Sequence, residues 1–471
     1  MLVGFVVLYL FLTLAVGFWA SRWIKTTDDF TLAGRRLPAL VVGVTIFATW
    51  FGPELIMGVP TLFLQDGVKG IITDQFGNVV CLSLVGFFYA RQLYRLRIVT
   101  INDFFRLRFS DSMETVTSLI NVFTYFSWIA AQFLALALLF NSILGLPVAW
   151  GIVVGASIVL IYTYIGGMWA VSITDLIQTV MIVGGLLFVM FQLLAETDGV
   201  LSVFADTPEG FYNFLPEPGF YSWMDYLSMW MVFGIGAIPA QEIYQRVLSA
   251  RTERAGAAGA FLGAGMLFVI GSIPLVIALC ISQVHPELLN DNDGQSMIPT
   301  LILKYMGVPI QVMFFGALIS AILSTSSGAM LAPATVISEN LIKPWYRELT
   351  DKQLLLRTRL CVVFVAVTSA CMAFFNSSIH GLVVDSVTLY LVCLVVPFTF
   401  GLHWKKASVP GAWASIVGGG TAWLVCRGLT TRIEPWMLGL AASVTAMIAV
   451  SLITPDNSRT RFEALKLEVE I

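Results

Sequence analysis

The stretch ATWFGPELIMG, residues 48–58, lies inside an apolar segment running from about Leu40 to Leu64, yet it carries Gly52, Pro53 and the carboxylate Glu54. Proline has no N–H to give to a helix, and its ring collides with the preceding turn. Three readings compete: a kinked but inert helix, a loop, or a helix unwound so that its freed carbonyls hold a ligand. The remainder of the chain has to decide among them.

The 471 residues are 58% hydrophobic and 12% charged, with a mean hydropathy of +0.86. That is more apolar surface than a water-soluble fold needs. A bilayer core about 30 Å thick takes roughly 20 apolar residues per helix. Thirteen such segments cover approximately residues 1–21, 38–64, 70–94, 115–145, 148–168, 171–195, 222–243, 255–284, 309–341, 354–377, 381–402, 409–427 and 436–454. Alternating strands are not seen, so the spans read as helices and not as a barrel. The expected class is an all-α membrane protein with 13 transmembrane helices embedded in a lipid bilayer.

Charge sets the expected orientation. With Met1 outside, 22 of the 26 Lys and Arg fall in alternate connectors, and only Lys69, Lys304, Arg427 and Arg432 fall on the other side. Cytoplasmic loops retain cations, which places the N-terminus outside the cell membrane and the C-terminus in the cytoplasm. A cationic leader with a cleavage site does not precede the first span, which reads as retained. Cys81, Cys280, Cys361, Cys371, Cys393 and Cys426 lie in or at the ends of spans without C-x-x-C spacing, and read as packing residues.

A second interrupted span accompanies the first. VFGIGAIPAQE carries Gly234, Gly236 and Pro239 in the seventh segment, five spans after TWFGPE in the second. An odd separation puts the two in opposite orientation, as two inverted repeats of five helices would, and such matched breaks point to a transporter binding site. Glycine and proline also kink inert membrane helices, so the matched pair carries more weight than either break alone. Freed carbonyls in hydrocarbon need a polar partner, and a dehydrated sodium ion, small and hard, suits them.

FGALISAILSTSSGAMLAPA, residues 315–334, sets Ala321, Ser324 and Thr325 at i, i+3 and i+4, hence on one helix face. Small residues there also serve close helix packing; a nearby break is what would turn them into a cation site. The acids within spans are Glu54, Asp74, Asp175, Glu242 and Asp385, and a charge at mid-bilayer costs at least about 2.5 kcal/mol. Asp175 reads as functional or as a first-turn acid at a helix N-terminus, and Asp385 lies near the outer end of its span. Glu54 follows Pro53 within the break. Trp50 and Trp128 are lipid-facing or core residues unless both face one cavity, where their rings would hold an organic cation, an interaction worth ~2 kcal/mol once desolvated.

The ordered motifs DDFTLAGRRLP, YTYIGGMWAVSITDLIQ, PAQEIYQRVLSAR and SAILSTSSGAMLAPA resemble the sodium:solute symporter family, whose members include sodium/proline, sodium/glucose and high-affinity choline transporters. The likeness runs from the N-terminus to about residue 345. It implies one transmembrane domain with a LeuT-like core: residues 1–37 a first helix and connector, 38–195 one five-helix repeat, 222–402 its inverted counterpart, and 403–471 two peripheral helices and a short tail. It also implies a sodium site made by the carbonyls of Ala48, Phe51 and Ala321 with the hydroxyls of Ser324 and Thr325, and a role for Asp175 in sodium exit.

Within the family ATW at 48–50, SWIAA at 127–131, TDLIQ and IYQRVLS are similar to the choline branch. Trp50 and Trp128 match two tryptophans of that branch's aromatic cage; Ala240 stands where the third would be, and Asn78 at a cage tyrosine position. Glu54 matches a sugar-binding position of the sodium/glucose branch. These five, with Gln241, form the implied substrate-binding set.

The expected function is sodium-coupled import of a small organic solute by alternating access, with a lean toward a choline-like cation or a zwitterion. An amino acid, sugar or carboxylate is the alternative cargo. A membrane solute sensor is the alternative of another class, although the tail after about residue 454 is too short for a signalling module. No nucleophile with its base, metal-ligand cluster or phosphate loop is visible, so neither an enzyme nor a nucleic-acid partner is expected; the coupling ion is Na+.

Overall fold

A computed structural model of the chain describes residues 2–290, 297–346, 348–375, 379–429, 431–456, 458–459 and 462–463. Arg347, Arg461 and Lys466, counted among the inside cations, lie outside the described residues, as does the side chain of Asp385. Among the described residues the secondary structure is helical, and strand-like pairing is limited to an isolated bridge between Leu37 and Ala250.

Both interrupted segments leave the helix. Ala39–Trp50 stops at Phe51, whose φ of −92° and ψ of 74° lie outside the helical region. Pro53 has no N–H, so the Thr49 carbonyl has no donor four residues on. Helix restarts at Glu54–Gly58 and continues through Val59–Asp66, then turns back at Gly67, where φ is +62°. The second break is wider. Phe220–Gly234 ends, residues 235–240 run without regular helix, and Gln241–Leu248 resumes.

Two expected spans, 148–168 and 171–195, are joined without a loop. Val148–Leu194 is continuous except for Gly167, at φ 47° and ψ −147°. A side chain there would be strained by the backbone and would run into Phe30. By length and composition alone, nine helices among the described residues can cross a membrane, or ten if the bent pair Leu382–Cys393 and Val395–His403 is one span. Thirteen is not reached by that measure, because Gly67 and Gly167 turn within runs that it joins and the two interrupted segments supply only short helices.

Packing brings the first break against the hydroxyl-bearing helix. Ala39–Trp50 lies on Glu253–Gly271, where Gly43 and Gly259 meet with no room for a Cβ on either, the close approach that small residues allow in membranes. Val148–Leu194 packs along Val308–Val336, which also touches Ala39–Trp50 and Gln241–Leu248. Four elements therefore converge on Ser324 and Thr325, both fully buried.

Candidate functional site

At the first break the Thr325 hydroxyl faces the Ala48 carbonyl at 3.5 Å. That is long for a hydrogen bond. It is the spacing of neighbouring ligands on one hard cation, since oxygens held at about 2.4 Å and at right angles are about 3.4 Å apart. The Phe51 side chain stacks on Phe47 in the core, leaving its carbonyl as its polar contribution to the break. Ala321, Ser324 and Thr325 are all buried on the unbroken Val308–Val336 helix. The Ser324 hydroxyl donates to Asp175 Oδ1 at 2.6 Å.

Asp175 is therefore not a first-turn acid. It sits two turns past the Gly167 kink, fully buried, with Oδ2 4.0 Å from Arg246 Nη2. Arg246, itself 1% exposed, also donates from Nε to Thr45 O at 3.1 Å and from Nη1 to Glu242 O at 3.0 Å. One guanidinium thus ties the helix before the first break to the helix after the second, beside the Ser324–Asp175 pair. Burying charge without partners is costly, so this arrangement belongs to a built site.

Next to this network lies a cavity of ≈ 40 Å³, a space for a few waters, lined by Trp50, Glu54, Asn78, Thr124, Tyr125, Trp128, Phe233, Ala237, Ala240, Glu242, Ser386, Val387 and Tyr390. Five of the six residues expected to meet substrate line it. Gln241 does not: its side chain accepts from Ile101 N at 2.8 Å and donates to Val99 O at 3.5 Å. Its neighbour Glu242 faces the cavity instead, where its carboxylate accepts from Trp50 Nε1 at 3.0 Å and from the Tyr125 hydroxyl. The Glu242 N–H in turn reaches the Tyr125 oxygen at 2.9 Å.

Sequence reasoning flagged Glu242 as an acid in a span but did not place it in the site, and it missed Tyr125, Tyr390 and Ser386. Two signals were available. Thr124, Tyr125 and Trp128 fall within one turn and share a face, and Ser386 and Tyr390 are four apart. Glu242, the second residue of the helix after the second break, mirrors Glu54, the first residue of the helix after the first.

Comparison with known proteins gives the family and the fold. A 26% identical relative, the human High affinity choline transporter 1, aligns over 89% of this chain and 75% of its own length. The Osmoregulated proline transporter OpuE of Bacillus subtilis (strain 168) is 25% identical over 97% of this chain and 95% of its own. In structure, a Na+-coupled sialic acid symporter, solved substrate-bound and outward-open, superposes with a TM-score of 0.84 at 20% identity, covering 96% of this chain and 98% of that one. A nucleobase-cation-symport-1 family transporter in a closed conformation follows at 0.60 and 14%, covering 94% and 100%. At such identities these two speak for the fold, which is LeuT-like. Residues 30–419 match the description "Sodium:solute symporter family", and with most of the chain so matched, this protein belongs to the sodium:solute symporter family.

Proposed function

We propose that this symporter imports an organic cation or zwitterion, held in the cavity between the two helix breaks, on the energy of sodium bound beside it. The reading assigns sodium to the carbonyls of Ala48, Phe51 and Ala321 and the hydroxyls of Ser324 and Thr325, and its cytoplasmic exit to Asp175. The solute is assigned to Trp50, Glu54, Asn78, Trp128 and Ala240, joined by Tyr125 and Glu242. Relatives named as choline and proline transporters support a small nitrogenous cargo.

The observation that carries the reading is the sharing of one break by two sets of groups. Ala48 meets Thr325 while Trp50 and Glu54, on the same few residues, line the cavity. An ion that orders residues 48–51 fixes the Trp50 ring and the Glu54 carboxylate at once. Solute bound to them stabilises the ion site by the same free energy, which is thermodynamic linkage. In this scheme the repeats 38–195 and 222–402 rock about the cavity, with the N-terminus outside and the C-terminus in the cytoplasm. Uptake of labelled choline and proline into proteoliposomes, with and without an inward sodium gradient, tests the coupling; equal rates in both conditions would refute it.

A further inference from the structure

A polar stripe on one helix starts at the solute cavity and runs on beyond it. On Asp111–Leu144, Trp128 and Tyr125 line the cavity. Asn121, Ser118 and Glu114 continue the same face, because steps of three and four residues keep side chains in line along a helix. Ser118 and Asn121 are fully buried and Glu114 is 3% exposed. Among the described residues, the Ser118 hydroxyl and both polar atoms of the Asn121 amide have no hydrogen-bond partner, and neither do those of Asn102, also fully buried. Asn102 lies between the two ends of the stripe. Its neighbour Ile101 gives an N–H to Gln241, next to Glu242 of the cavity, and its other neighbour Asp103 is joined to Glu114 through Asn340. Buried polar groups are nearly always partnered, so two amides and a hydroxyl left without partners beside a transport site call for something that passes.

The far end of the stripe is shut by one side chain. Asn340 Nδ2 donates to Asp103 Oδ1 at 2.8 Å and to Glu114 Oε1 at 2.7 Å, and its Oδ1 accepts from Thr100 Oγ1 at 2.7 Å. Arg106 stands 3.6 Å from each of the two acids. This clasp ties Ile337–Ile342 to Ile101–Arg108 and to Asp111–Leu144. Beyond it is a cavity of ≈ 350 Å³ whose lining includes Asp103, Arg106, Glu339 and Lys343. The orientation proposed above puts that cavity on the cytoplasmic side.

We infer that this stripe is the release route: the solute leaves the cavity past Tyr125, is handed to Asn121, Asn102 and Ser118, and enters the cytoplasm when the Asn340 clasp opens. Amides donate and accept, so they replace the contacts that a polar solute gives up on leaving. Being neutral, they hold a charged group less tightly than Glu54 and Glu242 do, and the solute moves on. The inference rests on the reading of the cavity as the solute site and adds the path out of it.

The test uses the full chain in inside-out membrane vesicles bathed in potassium, with a membrane-impermeant thiol reagent. Ser118→Cys and Asn121→Cys are expected to be labelled above the background set by the wild type's own cysteines, and faster when combined with Asn340→Ala. Val122→Cys, buried on the same helix but off the stripe, is expected to stay at background. In proteoliposomes, with whichever of choline and proline the wild type takes up, Asn121→Leu is expected to lower the maximal rate at least about tenfold, with half-saturation within about twofold, as loss of a contact made only during release implies. Its melting temperature is expected at or above that of the wild type, because an apolar group replaces a buried polar one that had no partner.

Background labelling at both Ser118→Cys and Asn121→Cys, even with Asn340→Ala, overturns the inference. So does labelling of Val122→Cys at the same rate, which marks a general loosening of the helix. A wild-type rate in Asn121→Leu, or a low rate accompanied by a lower melting temperature, makes these side chains structural and overturns it as well. Where neither choline nor proline enters, the labelling pattern alone decides the route. Labelling as expected, with uptake equal in sodium and potassium, overturns the symport reading and leaves the route standing.

Discussion

Arg246→Met removes the cation of a buried pair and two hydrogen bonds while keeping much of the side-chain volume. In the native protein Asp175 Oδ2 and Arg246 Nη2 are 4.0 Å apart, a separation at which unit charges attract by about 4 kcal/mol at an effective dielectric constant near 20. Removing one partner strands the other, and for buried pairs that costs about 3–5 kcal/mol. The Thr45 and Glu242 carbonyls also lose their guanidinium donors. Asp175→Asn should cost a similar amount, because Arg246 is then the stranded charge, although the Asn side chain can still accept from Ser324. The double variant has neither charge, so it should be less damaged than the sum of the singles by about 2–4 kcal/mol. Equilibrium unfolding of the purified protein in detergent, for wild type, both singles and the double, closes the cycle. Additivity within about 0.5 kcal/mol would show that the two groups do not feel each other and that Arg246 is held for its carbonyl contacts alone.

Ser324→Ala and Thr325→Ala each delete an oxygen from the proposed ion site, and together should raise the sodium concentration for half-maximal uptake at least about tenfold, as loss of contacts to a charged group implies; an unchanged sodium curve in the double variant removes the assignment. Trp50→Ala should weaken binding of a cationic solute by about 30-fold, equivalent to ~2 kcal/mol, read by displacement in detergent, and undiminished affinity would take the ring out of the site. Gly167→Ala places a methyl group at φ 47° and against Phe30, so a loss of about 2 kcal/mol or more in unfolding free energy is expected; wild-type stability would mean that the kink relaxes freely. Gln241→Ala should lower stability by about 1–3 kcal/mol through the bond it accepts from Ile101 N, leaving solute affinity in the folded protein within about twofold, since its side chain lies off the cavity; a large affinity loss would return Gln241 to the site.

The first break is legible because its cause is local. Gly52-Pro53 withholds an N–H from Thr49, and no tertiary context can supply a proton that proline lacks. The shared face of Ala321, Ser324 and Thr325 is legible for a similar reason, since helical periodicity fixes which side chains lie together. The number of crossings is less so. Gly167 lets two expected spans run on with no connector, and composition does not report whether a glycine kinks a chain or ends a helix.

The division between Gln241 and Glu242 is of another kind. Adjacent residues at a helix start point about 100° apart, and the rotation of Gln241–Leu248 about its axis decides which of them meets the cavity. That rotation is set by Arg246 reaching Asp175 and Thr45, and by Gln245 reaching Thr31 O at 2.8 Å, contacts between residues far apart in the chain. Asp175 could be read as a first-turn acid at a helix N-terminus for the same reason: its partners Ser324 and Arg246 arrive from other helices. By itself the sequence determined the apolar, all-helical character of the chain, the two breaks and the oxygen-bearing face, all consequences of local chemistry and periodicity. The tertiary structure alone decided which acids share one cavity and which hydroxyls there had already spent their protons, because hydrogen-bond partnership across helices is a property of packing.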